Sequence, residues 1–163
     1  MTIKNNSGND LHWDDSSEFI KWEECLSTGI THIDSQHLEL IQIINRLKNA
    51  CMNGTGTVDP VFKEALSRMV EYVRFHFTAE LEMLKRINYP NFDEHKKQHD
   101  TLVRDILAAA NEYKEGKRFI PLRFIRTLKD WVLSHIAVFD RMYSDYIADQ
   151  KKKGLLSDQQ LTG

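Results

Sequence analysis

From Ile30 onward the apolar residues of this chain recur at alternating intervals of three and four, the spacing that lines one face of an α-helix. The first stripe runs Ile30, Ile33, Leu40, Ile44, Leu47, with His37 filling its gap, and stops near Asn53-Gly54. A second opens at Asp59-Pro60, an N-cap followed by proline at the first helical position, and runs Phe62, Leu66, Met69, Val73, His76, Glu80, Met83, Ile87. Asn88-Tyr89-Pro90 breaks that helix, and Asn91 with Glu94 three residues on is a capping-box-like restart. The third stripe is Phe92, His95, His99, Leu102, Ile106, Ala109, Tyr113, ending at Gly116. The fourth begins near Pro121 and runs Ile125, Leu128, Val132, His135, Phe139, Met142, Tyr146. No stretch alternates apolar and polar residues over a useful length, so strands are not expected. Four long helices with short connections predict an all-α fold, an up-down-up-down antiparallel four-helix bundle. The polar residues 1–20 form an N-terminal arm, 21–150 the bundle, and 151–163 a Lys-rich tail expected to fray.

Histidine and carboxylate interrupt all four stripes. His37 lies near the start of the first helix, His76 and Glu80 toward the end of the second, His95 and His99 at the start of the third, and His135 past the middle of the fourth. In an antiparallel bundle those positions share one pole, so the six converge in one layer. Residues four apart differ by about 40° around a helix axis and about 6 Å along it, so both members of His76/Glu80 and His95/His99 can face one centre. Asp140 follows His135 by five, about 140° round an ideal helix. If it joins the layer, the fourth helix must be locally overwide, as in a π-bulge, a feature frequent at functional sites.

A lone histidine in such a stripe is ordinarily a hydrogen-bonded core residue. Convergence changes the reckoning, because several buried imidazoles and carboxylates without compensation would each cost a few kcal/mol against a total stability of about 5–15 kcal/mol. A metal compensates them economically, since neutral imidazoles donate to it and carboxylates can bridge two ions; a satisfied polar network is the alternative. Five histidines and two carboxylates exceed what one tetrahedral zinc uses and lack the thiolates of structural zinc sites, which suits two ions. Ferritin-like di-iron proteins instead use carboxylate-rich sets with Glu-x-x-His pairs.

Composition narrows the partners. The 163 residues carry 22 Lys+Arg against 24 Asp+Glu, scattered along the chain, so no basic stripe points to nucleic acid or an anionic membrane. Cys25 and Cys51 make neither a CxxC pair nor a disulfide framework, and the opening residues lack the apolar segment of a signal peptide, so a cytoplasmic protein with reduced thiols is expected. No apolar run approaches the roughly 20 residues that span a bilayer, and membrane insertion is not expected. His12, in the arm, and His32, off the stripe, are expected to be exposed bystanders.

The segments "WEECLSTGITHIDSQH", "HFTAE", "YPNFDEHKKQH" and "HIAVFD" strongly resemble the hemerythrin family in its single-domain bacterial form, over a span from Trp22 to about Tyr146. The resemblance implies a non-haem di-iron centre, two iron ions cycling between Fe2+ and Fe3+ with a bridging oxo or hydroxo group, that binds dioxygen reversibly. Carried across motif by motif, His95, His99 and His135 hold one iron, His37 and His76 the other, and Glu80 and Asp140 bridge both. Leu40, Phe77, Trp131 and Ile136 lie within one helical turn of these positions and are candidates for an apolar oxygen pocket that excludes water. Leu81 departs from the family pattern, where a second Glu is common, which bears on a surrounding role and not on iron binding. Carriage, storage or delivery of dioxygen to an oxygen-using enzyme is the function expected, in a monomer that is not itself an enzyme. The competing classes are an oxygen or redox sensor with a signalling partner, and a di-iron oxidase, peroxidase or nitric oxide-reducing enzyme.

Overall fold

The computed structural model describes residues 19–52, 58–115 and 121–161. Its helices are α1 (Thr31–Met52), α2 (Val58–Arg86), α3 (Phe92–Lys114), α4 (Pro121–Ser134) and α5 (Arg141–Lys152). A six-residue π-helical turn, His135–Asp140, joins α4 to α5 without a break, so the three form the fourth rod of an antiparallel four-helix bundle. α1 packs on α2 and α4, and α2 on α3; no strand occurs among the described residues. α2 starts one residue before Asp59, which puts Pro60 in its first turn, where the missing N–H has no helical partner to lose.

Short polar contacts set where α1 begins. The Asp34 carboxylate accepts the Thr28 N–H and hydroxyl, both at 2.7 Å, and the Ser27 hydroxyl at 2.6 Å. Gly29, at φ +73°, takes the left-handed conformation that this tight loop requires. Upstream, Asn45 on α1 clamps the backbone of buried Ile20, accepting its N–H and donating to its carbonyl, each at 2.8 Å. At the α2–α3 corner Asn88 adopts φ +51°, with Tyr89 N–H bonded to Leu84 O and Asn88 N–H to Lys85 O. This pair of bonds ends α2 in a Schellman turn, with Pro90 beyond it to keep the helix from resuming.

The apolar interior is divided in two. The larger cluster includes Leu40, Ile44, Leu47, Met69, Phe77, Leu102, Ile106, Leu128, Val132 and Ile136. The smaller, at one pole, comprises Ile30, Ile33, Met83, Leu84, Ile87, Tyr89, Tyr143, Ile147 and Leu161. Each such side chain contributes roughly 1.5–3 kcal/mol by leaving water. On α1 the two clusters are separated by His37, and on α2 by Glu80, so a polar layer lies between them.

Two expectations fail, each for a physical reason. The fourth stripe was expected to continue through Met142, but Met142 is 44% exposed and Tyr143 is completely buried in its place. The extra residue in the π turn advances the buried face by one position, and Tyr143 and Ile147 carry it onward while Tyr146 stays only partly buried. The expected fraying after residue 151 is also absent. Gly154, at φ +71°, reverses the chain beyond α5, and Leu161 is buried in the polar cluster's lower neighbour, the smaller apolar cluster. His32 is exposed, as expected. His12 and the side chains of Phe62, Leu66 and Tyr113 lie outside the described residues.

The loop before α1 yields the first prediction. Asp34→Ala removes three hydrogen bonds to one ionised acceptor and should lower unfolding stability by about 2 kcal/mol in urea titrations. A loss under about 0.5 kcal/mol would show that the loop holds without this carboxylate.

Candidate metal centre

The convergence expected from helix positions is present in three dimensions. His37, His76, Glu80, His95, His99, His135 and Asp140 are all buried, and both carboxylates are inaccessible to solvent. The π turn brings Asp140 to the same face as His135, with the Arg141 N–H reaching back five residues to the Ile136 carbonyl. An unbroken α-helix would carry that carboxylate away from the layer.

The imidazoles turn their Nε2 atoms inward, toward the carboxylates. Glu80 Oε2 lies 3.1 Å from His99 Nε2, 3.2 Å from His95 Nε2 and 3.7 Å from His76 Nε2. Asp140 Oδ1 lies 3.1 Å from His135 Nε2 and 3.7 Å from His95 Nε2, while Oδ2 faces His37 Nε2 at 3.2 Å. Two groups of candidate donor atoms result: Glu80 with His95, His99 and His135, and Glu80 with His37 and His76, the atoms of each within 4.8 Å of one another. Glu80 belongs to both, and Asp140 touches a histidine of each group.

Electrostatics gives the layer a divided character. Burial by itself penalises every charge here. It pushes the His76 imidazole down to about 3 and His99 below its usual value, against the pull of Glu80. For His37 and His95 the same penalty is outweighed, by Asp140 and Glu80 respectively, and their values rise. Glu80 and Asp140 pay the burial penalty too, yet the surrounding imidazoles hold both below the ordinary carboxylate range. The carboxylates are therefore anions at neutral pH, and at least His76 and His99 are neutral donors.

Could these groups satisfy one another without an ion? Glu80 Oε1 is buried with no hydrogen-bond partner among the described residues, and the contacts of the Asp140 oxygens with His135 and His37, though short, are too poorly aligned to satisfy those oxygens or His37 Nε2 as hydrogen bonds. Each such atom costs about 1–3 kcal/mol, more when charged. His99 Nε2 and His135 Nε2 face each other at 2.9 Å, a contact that needs a proton on one ring only. A cation accepts the lone pairs of both and uses the orphaned carboxylate oxygens, so the donor set fits metal better than a closed polar network. Mixed imidazole and carboxylate donors, without thiolate, suit iron among the transition metals.

Surrounding contacts position the rings. Gln36 Oε1 lies 2.7 Å from His76 Nδ1 and accepts its proton in the tautomer that leaves Nε2 free to face inward. Phe77 stacks on His99 with ring centres 3.6 Å apart and 5° between planes, and Trp131 on His135 at 4.3 Å and 12°. Leu40 and Ile136 are buried in the larger cluster that includes Phe77. Tyr72, stacked on His76 at 4.8 Å, and Tyr143, 5.5 Å from His95, were not anticipated from the sequence. Tyr72 lies four residues before His76 on the same helical face, and that spacing was a usable signal. Tyr143 was hidden by the one-residue shift of the π turn.

Comparison with known proteins gives a consistent result. The model of the hemerythrin HHE cation binding domain matches residues 28–147. The chain is similar to bacteriohemerythrin of Methylococcus capsulatus, 27% identical over 116 residues that cover 71% of this chain and 86% of the relative. It is also similar to bacteriohemerythrin of Pseudomonas aeruginosa, 26% identical over 144 residues that cover 83% of this chain and 92% of the relative. A crystal structure of wild-type hemerythrin superposes with a TM-score of 0.69 at 23% identity, covering 78% of this chain and 96% of the other, which supports the fold.

The geometry makes a direct prediction for metal content. After loading with ferrous iron and desalting, the wild-type chain should carry two irons, and Glu80→Ala should carry one or none, because Glu80 is the residue common to both donor groups. Two irons retained in Glu80→Ala, by elemental analysis, would overturn its bridging position.

Proposed function

The chain belongs to the hemerythrin family, and on that footing we propose that it binds dioxygen reversibly at a two-iron centre for carriage, storage or delivery. The observation that supports this reading is the single buried layer of five inward-facing imidazoles and two carboxylates, divided into two donor groups that share Glu80. His95, His99 and His135 would hold one iron, His37 and His76 the other, with Glu80 and Asp140 spanning the two. Bound there, the ions supply the electrons for reversible dioxygen binding by cycling between Fe2+ and Fe3+.

This chain's own residues do the rest. Three imidazoles would serve one ion and two the other, so the ion held by His37 and His76 would have fewer protein donors and is where dioxygen would bind. Gln36 keeps the His76 proton on Nδ1 and so keeps Nε2 available as a donor. Phe77 and Trp131 cover two of the rings face-on, and with buried Leu40 and Ile136 they make the apolar wall that keeps water from the layer.

A carrier is favoured over a redox enzyme by what surrounds the seven residues. Polar side chains packed against these imidazoles include Gln36, Tyr72 and Tyr143. Burial and the nearby carboxylates push both phenols well above their ordinary value, so neither serves as a base near neutrality. Imidazole dominance over carboxylate likewise favours a reversible ferrous pair over a strongly oxidising centre.

The test is a gas cycle. Visible absorption that appears when dioxygen meets the diferrous protein, vanishes on its removal and returns on readdition is the expected result. Irreversible oxidation in one cycle, with steady consumption of an added reductant, would instead indicate an enzyme.

A further inference from the structure

We infer that the segment after α5, residues 155–161, is a positioning clamp that holds the floor of the metal layer closed. It rests on the reading of that layer as an iron centre. The segment lies beyond the stretch matched by the family model, which ends at residue 147.

The fold-back is built from local rules. The Leu155 N–H bonds to the Gln150 carbonyl and the Gly154 N–H to the Lys151 carbonyl, each at 2.9 Å, closing α5 in a Schellman turn. Gly154 sits at φ +71°, where an L side chain would be strained. The returning strand of chain is tied at three further points. Ser157 and Gln160 form a capping box around a short 3-10 turn, Asp158–Gln160, with the Ser157 N–H donating to Gln160 Oε1 at 2.9 Å. Lys151 pairs with Asp158. Arg86 Nε, at the end of α2, donates to the Gln160 carbonyl at 3.1 Å.

These ties deliver Leu161, 5% exposed, into the smaller apolar cluster beside Met83, Leu84, Ile87, Tyr143 and Ile147, with Leu156 packed against its edge. Leu155, in contrast, is 65% exposed. Tyr143 connects this cluster to the layer, because it belongs to the cluster and its ring sits 5.5 Å from that of His95. Met83 lies three residues after Glu80 on α2. With Leu161 in place, the segment ties the end of α5 back to Arg86 at the end of α2 and closes the smaller apolar cluster that lies between it and the layer.

The test compares the full chain with Leu161→Asp, which puts a charge in the cluster, and with Leu155→Asp, which adds the same charge at an exposed position. In the metal-free proteins, amide hydrogen exchange at residues 83–87 and 143–147 should quicken at least about tenfold in Leu161→Asp, with Leu102 and Ile106 in the larger cluster unchanged. In the iron-loaded proteins, extraction by a ferrous chelator should quicken by a similar factor at unchanged iron content. Leu155→Asp should match the wild type in both measurements. Wild-type exchange at 83–87 and 143–147 overturns the clamp, and faster exchange with wild-type extraction overturns its action on the layer. If Leu161→Asp loses protection throughout the chain, Leu161→Ala takes its place under the same criteria. A wild-type chain that takes up no iron overturns the iron reading instead, and exchange in the metal-free protein then decides the clamp by itself.

Discussion

Two carboxylates and five imidazoles, removed from water in one layer, are the constraint to which the rest of this bundle answers. Their charges cannot be left bare, because an unpaired buried anion is among the costliest features a small fold can contain. They also interrupt the hydrophobic interior, which is why it exists as two clusters, one above the layer and one at the pole beneath it. Each helix therefore has three zones along its inner face, apolar, polar and apolar, and its termini are set to bring the polar zones level.

That levelling explains the irregular features. The Asp34 carboxylate ties the loop that leads into α1 to the helix's first turn, one turn before His37. The Schellman turn at Asn88 ends α2 shortly after Glu80 and lets Pro90 redirect the chain so that His95 enters the layer from α3. The π turn supplies the last carboxylate, since five residues separate His135 from Asp140 and only an overwide turn puts both on one face. Strain and broken regularity are thus concentrated where they align polar groups, and the helices elsewhere remain regular.

Aromatic rings give the layer its walls. Stacking on His99, His135 and His76 holds the imidazoles by their faces, while the single amide contact of Gln36 sets the proton of His76. Rings packed in this way restrict rotation of the histidines, a property that suits a di-iron oxygen-binding centre. The lower wall is the smaller apolar cluster, mixed aliphatic and aromatic, into which a segment returning from beyond α5 inserts Leu161.

The sequence by itself determined the helical stripes, their order, and the one layer in which His37, His76, Glu80, His95, His99 and His135 meet, because three-four periodicity and antiparallel alternation are local and repetitive rules. It even required a widened turn if Asp140 was to join them. What followed that turn was decided only in three dimensions. One additional residue shifts every later side chain by about 100°, so Tyr143 faces inward where Met142 was expected. Gln36 and the return of residues 155–161 were likewise decided by tertiary structure. The partner of a lone amide or of a short apolar segment after a glycine lies far along the chain, as with Gln36 and His76 or Arg86 and Gln160, and no periodicity announces it.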